Sequence, residues 1–264
     1  MTDWRGLEIE LEQWEQAGRA ATLWWRDDDA VMATPALDRL LATARRPDGT
    51  TVPLCLAAIP AQADRTLAER ATENSHLSIL QHGFAHVNHA PPGEKKAELG
   101  GHRPAEAVLD ELADGRQRLE VLFGDRFLPV LVPPWNRMAP AIRNGLPAIG
   151  LKNHSVYGPR APGDGPAINT HADIIDWHHG RGFIGTAAAL HLIAGHLAAR
   201  RERRADPEEP TGLLTHHLVH DEAGWSFLTE LIYRLSRQAG ARWLAGTDIF
   251  GQTARVARKR SILS

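Results

Sequence analysis

The sequence predicts an α/β fold whose largely parallel sheet closes, or nearly closes, into a barrel. Three observations predict it. Short apolar runs and amphipathic helical stretches alternate from one end of the chain to the other, the pattern of repeated βα units. About seven such units fit into roughly 250 residues, the size of one such barrel. No internal repeat or linker divides the 264 residues, so 1–264 reads as a single domain.

The elements follow in order. Trp4, Leu7, Leu11 and Trp14 recur at helical spacing, which predicts a helix over about 3–17. The run ATLWW is a strand. TPALDRLLATARR reads as a helix with Thr34 as N-cap and Pro35 at its first position. TVPLCLAAI is a buried strand, QADRTLAERATE a helix and HLSILQH a strand. A loop leads to a long helix over about 104–122. FLPVLVPPW is a strand, PAIRNGL a short helix and AIGLK a strand. A Gly/Pro-rich loop, VYGPRAPGDGPAIN, precedes the strand-like DIIDWH. The last pieces are a helix over about 186–204, the strand GLLTHHL, a helix over about 222–239, the strand ARWLA and a helix from Thr247.

The bulk numbers set limits. Hydrophobic residues make up 43% and charged residues 23%, and the net charge is -2. That is an ordinary globular balance, with no basic surface to suggest nucleic acid. The single cysteine, Cys55, lies in an apolar run and reads as a buried thiol. No apolar stretch approaches the ~18 residues of a bilayer span, and the N-terminal stretch is acidic and amphipathic. A cytoplasmic protein with a small-molecule or glycan substrate is the expectation. Trp4, Trp14, Trp225 and Trp243 read as packing residues, and His191 and His196 as structural.

In parallel α/β barrels the active site forms at the C-terminal ends of the strands. Residues of chemical interest gather there. Asp27, Asp28 and Asp29 follow the first strand, and His82 and His86 follow HLSIL. Trp135 and Asn136 follow PVLVPP. Asp173, Asp176 and Trp177 surround DII, and His216, His217 and His220 follow GLLT. Two imidazoles and a carboxylate from another strand end leave an open position on a divalent metal, as a catalytic site requires. One aspartate can bind the metal while a neighbour accepts a proton, and the metal offsets their mutual repulsion.

These motifs resemble the polysaccharide deacetylases, carbohydrate esterase family 4. WRDDDA resembles the family's TFDDGP motif and HGFAH its H-S/T-x-x-H. VPPW lies where its R-x-P-Y would be. DIIDW resembles D-x-x-D-W, and LTH resembles L-x-H. The matches run in the family's order over 25–216. The resemblance implies a distorted (β/α)7-type, TIM-like barrel with a divalent metal. Zn²⁺ is the leading ion; Co²⁺, Ni²⁺, Mn²⁺ and Fe²⁺ also suit the ligands. It implies Asp27 as base and Asp28, His82 and His86 as metal ligands. His216 would be the general acid, oriented by Asp176. The backbone at Trp135 would stabilise the oxyanion, and Trp177 would line the pocket. The implied activity is removal of an N-acyl group, an acetyl group first, from an amino sugar or glycan precursor. Hydrolysis of another C–N bond and a catalytically inactive carbohydrate-binding homologue are the alternatives.

Two departures matter. Asp29 stands where the family has glycine, which leaves open a register with Asp28 as base and Asp29 as ligand. Val132 stands where the family has the arginine that pairs with the base, and Arg26 and Arg137 are the candidate substitutes. His89 reads as a neighbour of the metal, and His217 and His220 as a polar rim.

Overall fold

The computed structural model describes residues 3–160 and 167–251. The middle of the Gly/Pro-rich loop and the helix from Thr247 beyond residue 251 lie outside the described residues. Eight strands form one sheet: β1 Ala21–Ala30, β2 Leu54–Ala58, β3 Leu77–His82, β4 Phe127–Val132, β5 Asn153–His154, β6 Ala172–Asp173, β7 Thr211–Thr215 and β8 Ala241–Trp243. Their order is β5-β4-β3-β2-β1-β7-β6, with β8 on β1. Every registered pairing is parallel. Parallel bridges His154–Ala167 and Tyr157–Thr170 tie the chain after β5 to the segment that runs into β6. The wall therefore curls round towards its start, giving the distorted (β/α)7 barrel expected.

The helices are α1 Trp4–Gln16, α2 Pro35–Thr43, α3 Arg65–Glu73, α4 Ala105–Phe123, α5 Pro140–Gly145, α6 Thr186–Arg201 and α7 Glu222–Ser236. Side-chain caps begin several of them. Asp3, Thr34, Asp64 and Asp221 each accept a backbone N–H of the first turn. Pro35 at the first position of α2 removes an N–H that would have had no partner. Among the described residues no helix is long and apolar enough to cross a membrane.

Three expected strands are shorter than the sequence suggests. β4 stops at Val132, because Pro133 and Pro134 have no N–H for a ladder. AIGLK does not form a strand: Leu146–Ile149 is a 3₁₀ turn closed by Gly150 at φ 84°, and pairing starts at Asn153. In DIIDW only Asp173 joins the parallel ladder, together with the preceding Ala172, and Ile175 makes an isolated antiparallel bridge with Phe183.

Strand alternation sorts the core into two faces. Leu23 and Trp25 of β1 join Leu54, Leu56, Ile79 and Leu213 under the helices, outside the wall. Trp24 joins Cys55, Ala57, Leu80, Val130 and Val132 inside it, where Ile249 and Phe250 also pack. This parity decides which way each residue at a strand end faces.

Candidate active site

The end of β1 presents three consecutive carboxylates in three environments. Asp27 has the parity of Trp25 and faces the outer side. It lies opposite Thr215 of β7 and accepts from the Thr215 hydroxyl at 2.6 Å, from the His217 N–H at 3.0 Å and from His217 Nδ1 at 2.5 Å. Burial works to protonate Asp27, but the His217 charge and these bonds outweigh it and hold the carboxyl below its usual range. His217 is raised for the converse reason: burial disfavours its charge and Asp27 outweighs burial.

Asp28 has the parity of Arg26 and faces inward. The Arg26 guanidinium grips it with two bonds, Nε at 2.8 Å and Nη2 at 3.1 Å, and Arg26 Nη1 also donates to Ser155 Oγ at 2.6 Å. Arg26 and Asp28 are both buried. Two residues apart on a strand means one face, so Arg26 stands beside Asp28 although Val132 cannot. Arg137, the other candidate cation, turns away and donates to the Lys96 carbonyl.

Asp29 would rejoin Asp27 outside if the strand continued regularly. Instead its φ is 70°, and the β1–β2 register shifts between Asp27 and Ala30. This bulge re-aims Asp29 to the mouth of the barrel. Its Oδ1 lies 3.1 Å from His82 Nε2 and 3.4 Å from His86 Nε2. The group that converges is thus Asp29, His82 and His86, whereas Asp28, the expected ligand, is taken by Arg26.

Whether this group fits a metal turns on where the protons are. His82 Nδ1 lies 3.0 Å from the Val132 carbonyl, which can only accept, so Nδ1 carries the proton. In the neutral ring Nε2 is then a bare lone pair facing Asp29 Oδ1, itself buried without a hydrogen bond. Two acceptors at 3.1 Å repel unless a cation lies between them, either a metal ion or the proton that, against burial, Asp29 and Asp28 favour by raising His82. The residues fit a divalent ion. Val132, which cannot serve as the third-motif cation, fixes the tautomer of neutral His82 through its carbonyl.

The loop between the histidines is held by a residue that no sequence signal singled out. Glu98, buried, accepts the N–H groups of Phe84 at 3.2 Å and Ala85 at 2.7 Å. Gly83 has φ 55°, and a Cβ there would come within 2.0 Å of Glu98 Oε2. His86 also has positive φ, 58°, and its ring lies 4.3 Å from that of Trp135. Trp135 and Asn136 follow β4 at φ 54° and 57°, a tight left-handed turn beside the histidines. His89 is tied by its backbone to Ala97.

On the far side, His216 has the inward parity of Leu214. The Trp177 ring meets it edge-on at 4.6 Å between centroids. Asp176, expected to orient His216, does not reach it. Its carboxylate caps its own turn, accepting the N–H groups of His178 at 3.0 Å and His179 at 2.9 Å. The acids within electrostatic reach of His216 are Asp29 and Asp173. Burial raises the Asp173 carboxyl, with opposition from the His216 charge and from the Trp177 Nε1 bond at 2.8 Å. His216 Nδ1 is buried and has no hydrogen bond. His220 stacks edge-on against Trp225 at 4.6 Å.

No family model matches the chain, and no curated protein matches it in sequence. Solved structures do match its fold. A family 4 acetyl xylan esterase from Clostridium thermocellum, solved in complex with a cobalt ion, superposes with a TM-score of 0.52 at 13% identity, over 88% of this chain and 92% of that one. A polysaccharide deacetylase candidate from Mycobacterium smegmatis gives 0.60 at 17%, over 90% and 92%. Bacillus subtilis PdaA, a family 4 carbohydrate esterase, gives 0.52 at 16%, over 89% and 82%. At these identities the likeness is one of fold. The protein has the barrel of the family 4 carbohydrate esterases.

Proposed function

We propose that this chain is a divergent family 4 carbohydrate esterase, a hydrolase that uses a divalent metal to remove an N-acyl group from an amino sugar or glycan precursor. The observation that carries the reading is the convergence of Asp29, His82 and His86 at the barrel mouth, with Asp28–Arg26 and His216 on the flanking strand ends. Asp29, His82 and His86 would hold the ion. A divalent ion there supplies a Lewis acid for an acyl carbonyl and lowers the pKa of a water towards ~7.

The chain's own groups divide the proton transfers. Asp28 accepts the proton of the attacking water, held in one orientation by both guanidinium bonds of Arg26. His216 donates a proton to the departing amine nitrogen, which is otherwise a poor leaving group. The left-handed turn offers the Trp135 N–H for the oxyanion, since the N–H groups of Asn136 and Arg137 close the turn on the Pro133 and Pro134 carbonyls. Trp177, 39% exposed at the rim, offers an aromatic face to a sugar ring. Zinc suits the ligand set, and so do cobalt, nickel, manganese and iron.

The test is acyl release from N-acetylglucosamine oligomers and nucleotide-linked N-acetylamino sugars by protein reloaded with each metal. Release that a chelator abolishes supports the reading. No release above the chelated control, with every metal, overturns it.

A further inference from the structure

We propose that Asp27 and His217 form a positioning clamp behind the barrel wall, which sets the geometry of the two candidate proton-transfer groups in front of it, Asp28 and His216. The inference rests on the roles just proposed for those two residues.

Adjacent residues on a strand face opposite ways. At the end of β1, Asp28 faces in and Asp27 out. At the end of β7, His216 faces in and His217 out. The β1–β7 ladder ends at the pair Asp27–Thr215. From there the Asp27 carboxylate takes over from the backbone. One oxygen accepts the Thr215 hydroxyl and the His217 N–H, and the other accepts His217 Nδ1. The His217 N–H belongs to the peptide that joins it to His216, so this bond fixes the His216 backbone.

That matters because the His216 ring has little else to place it. Its Nδ1 makes no hydrogen bond, and Asp176 is turned to its own loop. Beyond the Trp177 edge contact, the backbone sets where the imidazole points. On the other strand, Asp27 anchors the residue next to Asp28 just before the bulge at Asp29.

The clamp is costly to build. Asp27 and His217 are 0% and 2% exposed, and two buried ionisable groups pay desolvation that an apolar pair would not. They sit on the outer face, away from the inward-facing Asp28 and His216. Directional bonds to three donors give a placement that apolar packing does not.

The experiment is Asp27→Ala and Asp27→Asn in metal-loaded protein, each also in a His216→Ala background. Asp27→Ala should lower kcat by about a hundredfold, the size of effect a shift of about 1 Å in a reacting group produces. KM and metal affinity should stay near wild type. Asp27→Asn, whose amide keeps an acceptor and can donate to His217, should recover most of the loss. With His216 already removed, Asp27→Ala should cost clearly less than in the wild type, because only the part that acts through Asp28 remains. Crystal structures should show the His216 ring displaced in Asp27→Ala while Asp29, His82 and His86 keep their ion. An unchanged kcat, an equal loss in the His216→Ala background, or loss of metal together with kcat would overturn the clamp. If Asp27→Ala does not fold, Thr215→Val removes one of the three bonds and should give a smaller loss of the same pattern. If the wild type proves to have no acyl-hydrolase activity, the proposed reaction fails. The clamp is then judged on the structures alone, where an unmoved His216 ring contradicts it.

Discussion

The barrel carries a His-His-carboxylate group at each end, and the two have opposite proton chemistry. Asp29, His82 and His86 converge at the C-terminal mouth, and His171, His196 and Glu209 converge at the N-terminal end. By residue type both could hold a metal. At the mouth, the Val132 carbonyl puts the His82 proton on Nδ1 and leaves Nε2 bare towards a carboxylate oxygen without a donor. At the other end, the Gly212 N–H donates to His171 Nδ1 at 3.0 Å, so the neutral ring carries its proton on Nε2, pointing at Glu209 3.5 Å away. Glu209 already accepts two backbone N–H groups, from Arg160 and Asn169. The Arg200 guanidinium, held by Thr22 and Thr211, adds a fixed positive charge nearby. His171 Nε2 and His196 Nε2 are buried without a hydrogen bond, but the carboxylate is already spent on backbone N–H groups and the fixed charge of Arg200 opposes a second cation there. The backbone partner of the first histidine differs between the two groups, and with the charge of Arg200 it favours the mouth as the proposed ligand set.

The largest expected effect is at the mouth. Asp29→Ala or His82→Ala should abolish metal binding and reduce acyl release to the chelated background, read by metal analysis and product assay. His171→Phe or His196→Phe should leave the metal content at one ion per chain. A lower content in the latter pair would break the comparison.

Next comes Arg26→Met. It leaves Asp28 buried without its cation, which costs about 3–5 kcal/mol, measured by chemical denaturation. Adding Asp28→Leu should restore much of the stability and none of the activity. If the double variant were active, Asp28 would not be the base.

A smaller effect sharpens the ligand side. Glu98→Ala frees the N–H groups of Phe84 and Ala85, which set the turn between the two histidines. Metal affinity should fall by about 10–100-fold, the usual size of an outer-shell contribution. Equilibrium competition with a chelating dye measures it, and an unchanged affinity would show that the turn holds itself.

The smallest effect is one of pH. Burial first, then the charges of His171 and Arg200, lower the His196 pKa to about 2. An unfolded histidine titrates near 6.5. The folded value is the lower one, so the unfolded chain binds the extra proton. Stability tied to His196 is complete above about pH 6.5 and is lost as pH falls towards the folded value. Full exclusion of that proton gives a slope of about 1.4 kcal/mol per pH unit. Comparing the wild type with His196→Leu between pH 7 and 5 should show a shallower slope in the variant. Equal slopes would mean that His196 takes up its proton while folded.

The alternation of elements gave the barrel, and the clustering at strand ends gave the face that holds the candidate site. His82, His86, His216 and Trp177 all lie where the motifs put them along the chain. The assignment within Asp27-Asp28-Asp29 was not legible, because it depends on a backbone choice. A regular strand would send Asp27 and Asp29 the same way, and the positive φ at Asp29 is a tertiary feature that three identical letters do not encode. Arg26 could be named but not chosen over Arg137 until parity was known. Asp173 and Asp176 flank the same two isoleucines, and only the turn after Asp176 shows that its carboxylate is spent on His178 and His179. Glu98 sits in a polar loop with no periodicity to mark it.

The most direct test of the central claim is the anomalous-scattering map of a crystal grown with Zn²⁺ or Co²⁺. The account predicts one strong peak, about 2.0–2.2 Å from an Asp29 oxygen, His82 Nε2 and His86 Nε2 for zinc, with Asp28 still bound to Arg26 and no peak at His171, His196 and Glu209. A peak coordinated by Asp28, a peak at the second group, or no peak at saturating metal would contradict it.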